Sequence, residues 1–115
     1  VERLGSDDVP NPVVVTGDFH KSFVLDLNDR EGGPTVAPEF MVTSISTIAG
    51  LDEYLDRNPH IRYQGDGKGY AVCTLTPDEF RTDFHYLADE WDPDSPIERT
   101  DSFTVAAGSH EAVQV

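Results

Sequence analysis

Three consecutive valines at positions 13–15, followed by Thr16 and then Gly17, place the tightest constraint on how this chain can fold. Adjacent β-branched side chains suit a strand with apolar groups on both faces, and a glycine lets the backbone turn sharply as it leaves a sheet. The chain must therefore bury this strand in a layered β structure. Directly beyond it stand Asp18, Phe19 and His20. In extended backbone, side chains two residues apart lie on one side, so Asp18 and His20 would converge on one ion. Oxygen and nitrogen donors at a strand end are a common arrangement around catalytic metals. Equally, the pair fits a capping aspartate beside an ordinary loop histidine.

The rest of the chain is punctuated as a β protein. Ser22-Phe23-Val24-Leu25-Asp26-Leu27 fits neither period cleanly and is a short strand or a helical turn, with the lean towards strand, and residues 28–38, with two glycines and two prolines, predict a surface loop. Asp26 and Asn28 begin like a calcium loop, but Arg30 and Glu31 occupy positions where such a loop needs an oxygen ligand and a glycine. Glu39 to Ser46 alternates from Val42 onward and predicts a second long strand. Its Ser44 and Ser46 are candidates for substrate contact, or are hydroxyls bonded to nearby backbone. Leu51, Tyr54 and Leu55 have helical spacing, predicting one short helix over residues 51–56.

From His60 onward an antiparallel meander is expected. Ile61 to Gln64 and Gly69 to Leu75 flank Gly65-Asp66-Gly67-Lys68, which predicts a hairpin. Those glycines do not form a phosphate-cradling loop, because the Gly-Lys-Ser/Thr ending and its helix are missing. Thr76-Pro77-Asp78-Glu79 makes a turn, and Phe80, Phe84 and Tyr86 alternate with Arg81, Asp83 and His85, predicting one apolar and one wet face. Cys73 fits a small buried thiol. Residues 89–100 predict an irregular connection, and Ser102 to Ala106 a last strand.

Charge narrows the partners. With 22 acidic against 8 basic residues in 115, the net charge of -14 disfavours nucleic acid and anionic membrane and favours cations. The acidity is that of a salt-adapted, halophilic surface, and no apolar stretch approaches the ~18 residues of a membrane span. The start at Val1 suggests a processed product or a piece of something longer.

Val13-Val14-Val15-Thr16-Gly17-Asp18-Phe19-His20, Glu39-Phe40 leading to Thr43-Ser44-Ile45-Ser46, Asn58-Pro59-His60-Ile61, Gly69-Tyr70 and Thr76-Pro77-Asp78 stand in an order that resembles the C-terminal part of PhoD-type alkaline phosphatases, within the calcineurin-like metallophosphoesterases. The resemblance runs from about Asn11 to Ala106. It implies an α/β, β-rich fragment: the C-terminal portion of a metallophosphoesterase α/β sandwich, mostly antiparallel strands with one short helix. It implies residues 1–11 as a linker or cut edge, 12–107 as part of the phosphatase domain and 108–115 as a tail. The implied activity is hydrolysis of phosphate esters by an exported enzyme, extracellular or periplasmic, using iron and calcium. Asp18 and His20 become metal ligands by this match, and His60 a group near the site without an assigned ligand role. The family's other ligands would come from a missing N-terminal part or a partner chain, so the isolated chain is expected to be inactive. Apolar faces such as Phe80, Phe84 and Tyr86 would be covered by that missing part. The rival expectation is an independently folded acidic β-rich binding module, and a third is a degenerate phosphoesterase domain.

Overall fold

The structure is a computed structural model that describes residues 2–6, 8–47 and 54–115. Eight strands form in chain order: β1 (Val14–Thr16), β2 (Ser22–Asn28), β3 (Thr35–Met41), β4 (Ile61–Gly65), β5 (Gly69–Leu75), β6 (Glu79–Leu87), β7 (Ile97–Ala106) and β8 (Val113–Gln114). They make two four-stranded sheets, ordered β1-β3-β2-β4 and β5-β6-β7-β8. All pairings are antiparallel except β1 with β3. Among the described residues, helix is confined to the 3-10 turns Glu2–Gly5 and Leu55–Arg57. The chain is thus β-rich, as expected, and any helical part of an α/β sandwich lies outside the described residues.

Alternation builds the core. On β6, Thr82, Phe84 and Tyr86 point one way and are buried, while β2 and β3 contribute Val24 and Phe40 from the facing sheet. Phe103 and Val105 of β7 complete the layer. Tyr63 lies 5.0 Å from Phe103 and 6.0 Å from Phe84 between ring centroids, so the sheets interlock through aromatic rings. Each such side chain contributes about 1.5–3 kcal/mol by leaving water. Phe84 and Tyr86 are therefore covered by this chain's own first sheet, not by a missing part. Phe23 is also buried, although its neighbour Val24 faces the core. It lies under Phe19 and Tyr54, so the first sheet is covered on both faces where these rings meet it.

Several expected boundaries move. The third strand runs from Thr35 to Met41, not from Glu39 to Ser46, and it takes in the end of the expected loop. Only residues 29–34 are loop, closed by the Gly33 N–H donating to the Arg30 carbonyl at 2.9 Å. Pro38 is tolerated within the sheet. It stands opposite Asp26, whose own N–H turns away to the His60 carbonyl at 2.7 Å, so this rung asks no donor of the proline. β7 begins at Ile97, inside the expected irregular connection, because its first residues pair with the end of β6. Residues 51–53 of the expected helix lie outside the described residues, and its end forms the turn Leu55–Arg57. Cys73 is exposed rather than buried, since β5 is an edge strand whose far half faces water.

The expected hairpin at residues 65–68 is not one. β4 pairs with β2 and β5 with β6, so this segment carries the chain from one sheet to the other. The glycines serve that crossing. A side chain at Gly65 would overlap the hydroxyls of Tyr63 and Tyr86, one at Gly69 would overlap the His85 carbonyl, and Gly67 has φ of 119°.

Candidate functional site

Residues 17–21 connect β1 to β2. Asp18 and His20 there adopt φ of 75° and 63°, so both sit in the left-handed region and the local chain is not extended. The strand geometry that would have placed the two side chains on one side therefore does not apply. Left-handed backbone costs a non-glycine residue roughly 1–3 kcal/mol and persists only where surroundings over-determine it.

Those surroundings are specific. Phe19, between the two, packs its ring 5.7 Å from Phe23 and 5.4 Å from Tyr54. The His20 carbonyl accepts from the Thr43 hydroxyl at 3.0 Å and from the Lys68 ammonium at 3.1 Å. Thr43 Oγ1 is also 3.1 Å from the Gly67 carbonyl. Lys21, next along, reaches Asp66 at 3.0 Å. Lys21, Thr43 and Lys68 are all buried, while Asp18 is exposed and His20 half-buried. The loop is thus fixed from beneath and presents its acid outward.

Three stretches singled out in the sequence converge here: residues 17–20, 43–46 and 65–69. The Gly69 N–H donates to the Ser44 carbonyl at 3.1 Å, joining the second to the third. Ser44 Oγ donates to the Thr47 carbonyl at 2.9 Å, a local backbone bond, and Ser46 is exposed. His60 is exposed on β4's approach and does not join this cluster. It lines a shallow groove of about 280 Å³ with Phe19, Phe23, Tyr54 and Ile61, so it neighbours the loop through Phe19.

Asp18 and His20 offer one anionic oxygen and one imidazole nitrogen, a donor set suited to a catalytic cation. Two donors fall short of the ~4–6 that such an ion takes. Among the described residues no cluster of three or more His, Cys, Asp or Glu is placed to hold a metal.

Thr43, Lys21 and Lys68 were not among the expected site residues. Their only signal was chemical: two of this acidic chain's 8 basic residues flank glycines or candidate ligands. Behind the loop, between the sheets, lies a further polar cluster. Tyr63 donates to Asp101 at 2.5 Å and meets the Tyr86 hydroxyl at 2.9 Å, while Arg99 pairs with Asp101 at 2.9 Å and stacks 4.3 Å over the Tyr86 ring. Burial first, and then the hydrogen bond to Asp101, raise the Tyr63 phenol well above its ordinary range. Arg99 also donates to the Asp66 carbonyl at 3.2 Å, tying this cluster to the segment beneath the loop.

Residues 1–84 match the PhoD-like phosphatase family. The chain is 32% identical over 113 residues to alkaline phosphatase D of Bacillus subtilis strain 168, across 90% of this chain and 19% of that protein. A solved structure titled "Structure of PhoD" superposes with a TM-score of 0.74 at 30% identity, across 90% of this chain and 22% of that one. The chain therefore spans about a fifth of the length of either relative.

Proposed function

Because this chain belongs to the PhoD-like phosphatase family, we propose that it is the C-terminal segment of a metal-dependent phosphate ester hydrolase, with residues 12–107 inside the phosphatase domain and residues 17–21 as a ligand loop. The observation that carries this is the left-handed backbone at both Asp18 and His20, with the His20 carbonyl gripped by buried Thr43 and Lys68. Strain maintained at two donor residues in one short loop is a feature of binding sites more than of connections. Asp18 and His20 would help hold a metal centre, which would supply Lewis-acid activation of the phosphate ester and of the attacking water.

In this proposal, this chain's residues hold and orient. Asp18, exposed and anionic, supplies a hard oxygen donor suited to calcium, and His20 a nitrogen donor suited to iron. Phe19, wedged against Phe23 and Tyr54, stops the loop from swinging. The remaining ligands and the groups that select the phosphate ester come from outside this segment, and the enzyme acts outside the cytoplasm.

The test is elemental analysis of the full-length protein alongside its Asp18→Ala and His20→Ala variants. Each variant should lose bound metal and at least 100-fold in phosphatase activity, on the order of what loss of a metal's support costs. Full metal content and activity in both would overturn the proposal. A second reading, an acidic β-rich binding module, draws on the core closed within this chain. It requires both variants to leave hydrolysis unchanged.

A further inference from the structure

Lys68 is buried, and its ammonium donates to the His20 carbonyl; among the described residues it makes no ion pair. That is a costly arrangement. An ammonium drawn towards the interior gives up part of its hydration. A carbonyl dipole compensates less than a carboxylate would. The placement is nonetheless firmly built. Gly67 turns at φ of 119°, Gly69 passes against the His85 carbonyl where no side chain fits, and the Leu87 N–H donates to the Lys68 carbonyl at 2.8 Å. The second sheet thus fixes the backbone that delivers this side chain beneath residues 17–21.

Thr43 arrives from the other direction, just past β3, and its hydroxyl lies between the His20 and Gly67 carbonyls at 3.0 and 3.1 Å. Two buried donors from segments distant in sequence therefore meet at one carbonyl. That carbonyl belongs to a residue whose φ of 63° needs holding. We infer that Lys68 and Thr43 are positioning residues for the 17–21 loop: they grip the His20 carbonyl and keep Asp18 and His20 preorganised to receive a metal ion. This rests on the ligand role proposed above for those two residues. A loop without the grip would relax to right-handed or extended backbone and would have to be reordered each time metal binds.

The experiment uses full-length protein stripped of metal and titrated with calcium against a fluorescent chelator, with thermal melting of the stripped protein measured in parallel. Lys68→Met and Thr43→Val should each weaken metal binding about 10–100-fold, the range seen when groups behind metal ligands are removed. Thr43→Ser, which restores the hydroxyl, should recover the lost affinity without changing the melting temperature relative to Thr43→Val. A merely structural role would not produce that recovery. Wild-type affinity in Lys68→Met and Thr43→Val, or no recovery in Thr43→Ser, would overturn the inference. Should Lys68→Met fail to fold, the Thr43→Val and Thr43→Ser pair decides alone. Asp18→Ala, which removes the ligand proposed for calcium, separates the two ideas in the same titration. If it binds normally the ligand role itself is wrong; if it is weakened while Thr43→Val and Lys68→Met are not, only the positioning role is.

Discussion

Tyr63 places its hydroxyl between the sheets, bonded to Asp101 and Tyr86, and its phenol is raised by burial and by that carboxylate. A group whose pKa is raised on folding adds stability that is complete below its unfolded value and is lost as pH climbs towards the folded one. The unfolded phenol titrates at about 10. Urea midpoints should therefore hold steady up to about pH 9 and fall above it, and Tyr63→Phe should flatten that alkaline fall. An unchanged slope in Tyr63→Phe would place the sensitivity elsewhere. At this scale the sequence was half legible. Alternation identified Phe84 and Tyr86 as facing a core, and donor chemistry singled out Asp18 and His20. What it could not show was the partner of each: Asp101 stands 38 residues from Tyr63, and the groups that bond the His20 carbonyl, Thr43 and Lys68, stand 23 and 48 residues further on.

Strands were read more reliably than their partners. The runs at 22–27, 61–64, 69–75 and 80–86 became strands and the valine run supplied β1 from Val14 onward, although Val15 is exposed and not buried as the apolar run suggested, because β1 is an edge strand. The glycine-rich segment at 65–68 was read as a hairpin turn, and it is instead the crossing between the sheets. Turn chemistry does not say which sheet the next strand joins, and here it joins the other one. Pro38 misled for a related reason: a proline is excluded from a strand only on rungs that need its donor. Gly69→Ala tests the crossing directly. A methyl there meets the His85 carbonyl and the Tyr86 backbone, and the unfolding free energy should drop by more than about 2 kcal/mol. Gly32→Ala, also glycine-lost but with open space around it and φ of 68°, should cost only about 1 kcal/mol. Equal losses at the two positions would mean that backbone freedom, and not the close approach, is what Gly69 supplies.

For the molecule as a whole, the two sheets close a core within 115 residues, yet the candidate site has two donors and no third ligand among the described residues. The purified chain should melt cooperatively and, with iron and calcium added, should not turn over a chromogenic phosphate ester; measurable metal-dependent turnover would show that the site is complete here. The two grips on His20 come from residues 23 and 48 positions further on. The Lys68 contact closes a much longer loop than the β2–β3 hairpin, whose paired residues lie at most 18 positions apart (Phe23 and Met41), so that hairpin closes at lower entropic cost. During synthesis the ligand loop leaves the ribosome well before Lys68 exists to hold it. Under the proposed function, metal capture thereby becomes a late event, open only to chains whose sheets have already joined, and a misassembled copy would be left without its metal.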